Sequence, residues 1–264
     1  MDCDNIEVKG NFKIFIGGVN EMGDRKSKSN IAIEVRGLRK VYPVGDEKVV
    51  ALKKINLKVT RGEVCCIFGT SGSGKSTLLN QLAGMEKPTK GQVIVDGVNI
   101  SRLSENKLAA FRQKHIGFVF QSYNLLASLT AVENVALPLM FRGVEKKKRE
   151  ILARKMLKRV GLANRFDHFP SQMSGGQQQR AGIARAFVTH PDIVFADEPT
   201  GNLDSKTTVE VMRMIMDFSK KYHQTIILVT HDPQMASYAD RIVTLLDGEI
   251  ISDEKRETFT KENQ

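Results

Sequence analysis

The chemistry that stands out lies between Gly69 and Thr77, in Gly69-Thr70-Ser71-Gly72-Ser73-Gly74-Lys75-Ser76-Thr77. The first eight residues fit G-x-x-x-x-G-K-[ST], with a strand pattern before them and a helical pattern after. Glycines let a backbone wrap closely round phosphates, so that successive N–H groups point inward and a helix N-terminus adds positive potential. In such a loop Lys75 supplies a point charge to the β- and γ-phosphates, the Ser76 hydroxyl ligates Mg²⁺, and Thr77 touches the α-phosphate. The bland alternative, a Gly/Ser-rich turn ahead of a helix, loses ground because strand, loop and helix are all in place. The expected ligand is ATP with magnesium. The reaction stays open, since kinases, GTPases and motor ATPases share this loop.

Further along, Ile193-Val194-Phe195-Ala196-Asp197-Glu198 is a run of four apolar residues ending in two carboxylates. Such a run reads as a buried parallel strand, whose C-terminal end opens into the crevice where ligands bind. Asp197 can hold Mg²⁺, directly or through water, and Glu198 can accept a proton from an attacking water. A strand leading into an acidic turn before Pro199 is the competing reading. The phosphate loop upstream weakens it.

Between these two sites lies Met173-Ser174-Gly175-Gly176-Gln177-Gln178-Gln179-Arg180. Ser174 is a good N-cap for a helix from Gln177 to Thr189. Two glycines leave that helix end bare, which makes it a second anion site. The stretch also resembles the signature of the ABC-type ATPases, usually written L-S-G-G-Q. Met173 replaces the Leu, an apolar exchange that leaves the contact residues intact. The resemblance covers about 31–252.

That resemblance implies an α/β P-loop NTPase fold of the ABC nucleotide-binding type. It would have a mixed-sheet core, an antiparallel β subdomain and a helical subdomain at about 101–175. It also implies a homodimer holding two ATP molecules, in which the phosphate loop of one copy meets Ser174, Gly175, Gly176 and Gln177 of the other. By position, Gln121 matches the glutamine directed to Mg²⁺ and the attacking water, and His231 the histidine on the γ-phosphate. Asp204, in Gly201-Asn202-Leu203-Asp204, matches a loop that crosses the dimer. Tyr42 is either the aromatic that stacks on adenine or a core strand residue.

The finer resemblance is to the macrolide exporters, lipoprotein-release ATPases and antimicrobial-peptide exporters of bacteria. It rests on Phe120-Gln121-Ser122-Tyr123-Asn124-Leu125-Leu126, Thr130-Ala131-Val132-Glu133-Asn134-Val135, Phe195 to Asp204, and Val229-Thr230-His231-Asp232-Pro233. In that subfamily a membrane permease docks a helix beside the matched glutamine. The receiving surface would come from Leu125, Leu126, Leu129, Leu137, Leu139, Met140 and Phe141, most of them core side chains. The chain would then work at the cytoplasmic face of the cell membrane, held there by the permease. A non-transport member that drives a membrane protein such as a cell-division protein is the alternative. DNA-repair and chromosome members carry a long coiled coil between the motifs, and translation members carry two domains in tandem. Neither pattern is present here.

These groups need a frame. Ile31, Ile33 and Val35 alternate with polar or small residues as in a strand, as do Ile55, Leu57 and Val59 within 49–59. Further strands are expected at 63–68, 92–95, 116–120, 193–196, 225–230, 241–246 and 249–252. Helices are expected at 75–83, 103–113, 131–141, 145–160, 177–189, 205–221 and 233–238. Residues 1–30 read as an extension or partly disordered tail, with 12–19 a strand or a docking segment. Residues 253–264 read as a C-terminal tail. The formal net charge of +10 fits nucleic acid, an anionic membrane surface or simply a solvated basic face. Lys146-Lys147-Lys148-Arg149 reads as an exposed helix face, and without a nucleic-acid fold signature no nucleic acid is expected. Cys65 and Cys66 read as buried strand residues, and with Cys3 they form no metal spacing or disulfide framework, which fits a reducing cytosol. No apolar run reaches the roughly 18 residues of a membrane span, so a soluble, unexported chain is expected.

Overall fold

The computed structural model describes residues 30–255. The segment at 12–19, Cys3 and the tail beyond 255 lie outside the described residues. In chain order the elements are β1 (Ile31–Val44), β2 (Glu47–Thr60), β3 (Val64–Phe68), α1 (Lys75–Leu82), β4 (Lys90–Val95), β5 (Val98–Asn99), α2 (Glu105–His115), β6 (Ile116–Phe120), α3 (Ala131–Phe141), α4 (Lys146–Arg159), α5 (Gly175–Phe187), β7 (Ile193–Asp197), α6 (Ser205–Tyr222), β8 (Thr225–Thr230), α7 (Pro233–Ala236), β9 (Arg241–Leu246) and β10 (Glu249–Lys255).

Short apolar runs make the central sheet. Val64–Phe68, Ile193–Asp197 and Thr225–Thr230 are buried almost throughout, as strands covered on both faces must be. The order is β10-β9-β3-β8-β7-β6. Strands β9, β3, β8, β7 and β6 run parallel, and β10 closes one edge antiparallel. Cys65 and Cys66 are buried in β3, where burial pushes both thiols upward, Cys66 to about 12. Neither forms a thiolate at neutral pH. A second, antiparallel sheet has the order β2-β1-β4-β5. One apolar layer fills the space between the two sheets and takes in Leu78, Leu79 and Leu82 of α1. The opposite face of the central sheet is covered by α3, α4, α5 and α6, through Leu157, Ile183, Phe187 and Ile215.

The elements follow the expected pattern with shifted ends. α5 begins at Gly175 rather than Gln177, because Ser174 caps it two residues earlier. α2 is displaced two residues, to Glu105–His115. β10 runs on to Lys255 instead of ending at Ser252. Its charged end is held by the Arg241 guanidinium, which donates to both carboxylate oxygens of Asp253 at 2.5 and 2.6 Å. In the helical region Thr130 and Glu133 form a reciprocal cap at the start of α3. The fully buried Asn134 then ties that helix to the preceding loop. It accepts from Leu126 N at 2.7 Å and donates to the Leu126 and Leu129 carbonyls.

Candidate active site

β3 delivers the chain into the phosphate loop, and α1 carries it away. Gly74, the residue before α1, has φ +103°, and a Cβ there would lie 2.7 Å from the Ala51 carbonyl oxygen. Only glycine fits both demands. With no side chain at Gly74 the first amides of α1 receive no side-chain cap, so they remain free for an anion. Lys75 is buried, at 6% exposure. Its Nζ folds back to donate to the Thr70 carbonyl at 2.7 Å. The loop borders a cleft of about 840 Å³, lined also by Ser76, Thr77, Glu198 and His231.

Part of this cleft has no sequence signature. Ala51 and Lys53 on β2 and the Asp247–Gly248 turn also line it. The turn braces the loop: Gly248 N donates to Ser73 O, and Lys53 N to Gly248 O, each at 3.0 Å. In sequence Asp247-Gly248 signals only a hairpin, since its neighbours in the cleft are nearly two hundred residues away.

Strand β7 places the acids. Asp197 is its last residue, in register with Phe120 on β6 and Val229 on β8. Burial, and then the neighbouring Glu198, hold the Asp197 carboxyl above its ordinary value, while Lys75 pulls the other way. Glu198 leaves the strand with φ +42°, a left-handed conformation that strains a non-glycine residue. It is held there because its N–H donates to Val229 O at 2.9 Å and its carbonyl accepts from Gly201 N at 3.1 Å. The result aims the side chain into the cleft, where Glu198 Oε1 lies 2.9 Å from His231 Nδ1. Gln121, the first residue after β6, sits by the turn that follows the acids, its carbonyl accepting from Asn202 Nδ2 at 3.1 Å.

Ser174, Gly175, Gly176 and Gln177 lie elsewhere, and none of them lines the cleft. The expectation of a bare helix end needs correcting. Gln177 Oε1 accepts from Ser174 N at 3.1 Å, and Ser174 Oγ accepts from Gln177 N at 3.4 Å. This reciprocal cap leaves only the amides of the two glycines without a capping side chain. The glycines are also required by packing. A Cβ on Gly175 would lie 2.8 Å from Tyr123 Oη, and one on Gly176 2.8 Å from Thr207 Cγ2. Thr207 is itself fixed by Asp204, which accepts from its N–H at 2.9 Å and its hydroxyl at 2.7 Å. Asp204 is therefore the cap of α6, and it couples the start of α6 to Gly176. Tyr42 stands on β1. Its hydroxyl donates to Glu86 at 2.6 Å, and it is not among the residues that line the cleft.

The donor set fits magnesium. Ser76, Asp197 and Gln121 offer the hard oxygen ligands that ion takes, and a cation beside the burial-strained Asp197 would favour its ionised form.

Residues 52–201 match the family described as ABC transporter. The chain is 50% identical over 219 residues to an uncharacterized ABC transporter ATP-binding protein of Methanocaldococcus jannaschii, covering 83% of this chain and 97% of that one. It is 49% identical over 221 residues to the macrolide export ATP-binding/permease protein of Pasteurella multocida, covering 84% of this chain and 34% of that one. The chain thus spans about a third of the macrolide exporters it matches. A solved dimeric ATP-binding cassette in a post-hydrolysis state, bound to ADP and Pi, superposes with a TM-score of 0.81 at 41% identity, covering 86% of this chain and all of that one. This chain belongs to the ABC transporter family and is an ATP-binding, ATP-hydrolysing cassette of its macrolide-exporter-like branch.

Proposed function

We propose that the chain works as a homodimer at the cytoplasmic face of the cell membrane and drives a separate permease that exports a peptide, a drug or a lipoprotein. The observation that carries this reading is the meeting of the phosphate loop, Glu198 and His231 in one cleft, while Ser174 and Gly176 open elsewhere. A cleft without the second helix end is half a site. In the proposed cycle Lys75 and Thr77 hold the phosphates of ATP, and Tyr42 takes the base. Ser76, Asp197 and Gln121 would hold magnesium, which would supply positive charge to offset that of the phosphates. Ser174 and Gly176 of the second copy complete the site at the γ-phosphate. Glu198 then takes a proton from the attacking water, and His231, already hydrogen-bonded to Glu198, steadies the γ-phosphate. Loss of the bridging phosphate reopens the pair, and the permease follows.

A docking surface supports the partner. Leu126, Leu137 and Phe141 line a groove of about 410 Å³ with Phe118, Phe120 and Met85. Leu126 and Phe141 are 51% and 61% exposed. Leu139 is buried, and Leu125 packs against the core, so the surface is narrower than the apolar pattern suggested. Among the described residues no helix is long and apolar enough to cross a membrane. Affinity purification from detergent-solubilised membranes tests the reading. The expected companion is a multi-span permease that raises the ATPase rate. A division protein as sole companion, or a permease without effect on the rate, would overturn the transport assignment.

A further inference from the structure

The proposed adenine platform, Tyr42, sits on a network of charged groups. Its hydroxyl donates to Glu86 Oε2 at 2.6 Å. Lys40 Nζ lies 2.9 Å from the same oxygen, donates to the Lys87 carbonyl at 3.0 Å, and stands 4.8 Å from the centre of the Tyr42 ring. Asn80 Nδ2 donates to the other carboxylate oxygen, Glu86 Oε1, at 3.2 Å. Three donors from β1 and α1 thus converge on one carboxylate in the loop after α1. Burial pulls the Glu86 carboxyl upward, and the bonds from Tyr42 and Lys40 outweigh it, so the group stays ionised.

Two geometric consequences follow. The phenol oxygen is pinned, which removes the ring's freedom to swing about the end of β1. One ring face is occupied by the Lys40 ammonium, an arrangement that is itself attractive. Only the opposite face remains for a flat ligand. Lys40 and Tyr42 are two residues apart on β1, and the contact between ammonium and ring brings the two side chains together across the register irregularity at Lys40 and Val41. Because Asn80 lies on the helix that starts at Lys75, the network also ties the ring to the phosphate-holding helix.

We propose that Glu86 is a positioning residue for the nucleoside. With Lys40 and Asn80 it holds Tyr42 in place as a preformed, single-faced stacking platform for the base, at a fixed distance from the phosphate loop. The inference rests on the ATP-binding reading above. Glu86 touches no substrate in this scheme and acts only through Tyr42. Its effect should therefore vanish for a ligand without a base.

The test compares ATP with inorganic tripolyphosphate by equilibrium competition against a fluorescent ATP analogue, on the full chain. Glu86→Ala and Tyr42→Phe should each weaken ATP about tenfold, the loss of one charge-assisted hydrogen bond. For Glu86→Ala, tripolyphosphate affinity should stay unchanged. Glu86→Gln, which keeps an acceptor oxygen, should recover part of the loss. In a Tyr42→Ala background Glu86→Ala should have no further effect, since its only route to the base is gone. The inference is overturned if Glu86→Ala weakens tripolyphosphate as much as ATP, or if its effect persists in full beside Tyr42→Ala. Lys75→Ala, by contrast, should weaken both ligands. If the unmodified chain bound tripolyphosphate and ATP equally, the nucleoside reading itself would fall, and this inference with it.

Discussion

The N-termini of α1 and α5 are built from similar material and end in different states. Each follows a strand or an extended segment, each has glycines at its start, and each could receive an anion. At α1 the cap position is Gly74, so nothing competes for the amides, and Lys75, Glu198 and His231 share the cleft with them. At α5 Ser174 and Gln177 cap each other, and the two glycines are backed by Tyr123 and Thr207. The first end is open toward a ligand that it can hold alone. The second is a rigid, finished surface outside the cleft, shaped to meet something brought to it. This difference is the physical basis for assigning binding to one end and completion of the site to the other.

The sharpest way to probe that division is at the chemistry both ends would serve. Glu198→Gln removes the base while keeping shape, and turnover should fall about 10²–10³-fold with ATP affinity nearly unchanged. Phosphate release and nucleotide binding measured on the same sample check this, and unchanged turnover would remove Glu198 as the base. Next come the two ends themselves. Lys75→Ala should weaken ATP binding by roughly 10–100-fold, as expected for losing a buried charge on a phosphate. Ser174→Arg should leave binding by the isolated chain untouched and stop hydrolysis in the assembled protein. Equal loss of affinity in both variants would erase the distinction between the two ends.

Smaller effects separate packing from chemistry at α5. Gly176→Ala should cost about 1–2 kcal/mol of stability in urea unfolding, because the new methyl meets Thr207 Cγ2. Adding Thr207→Ser removes that methyl, keeps a hydroxyl to bond Asp204, and should restore the stability. At the α1 side Asp197 has a raised pKa in the fold, so its ionised form works against folding. That penalty is complete above the folded value and gone below the unfolded one. Asp197→Asn should therefore raise the melting temperature of the nucleotide-free chain at neutral pH. The gain should disappear below about pH 4, where both forms are neutral.

Much of this was legible in the sequence because the chemistry is local there. The phosphate loop needs its glycines, lysine and serine in consecutive positions, and the strand runs before Gly69 and Asp197 are short, apolar and self-evident. The resemblance supplied Gln121, His231 and Asp204, whose residue types alone are bland. What escaped was set by tertiary contact. The Asp247–Gly248 turn closes the cleft from the far end of the chain, and Thr207 explains Gly176 across two elements. The left-handed backbone at Glu198 leaves no mark in residue type. The reciprocal cap of Ser174 and Gln177 was in view as serine followed three residues later by glutamine. The glycines between them read instead as a bare end.

Each site is proposed to form from two copies of the chain, and mixing two inactive variants separates that arrangement from a site within one copy. Lys75→Ala and Ser174→Arg chains are each expected to be silent alone. If the loop of one copy works with Ser174 of the other, a mixed dimer contains one site with both lesions and one with neither. An equimolar mixture should then recover about a quarter of the unmodified ATPase activity, since half the dimers are mixed and each has one of two sites intact. A mixture as silent as its components, under conditions where mixed dimers are shown to form, would contradict the account and return both helix ends to the same chain.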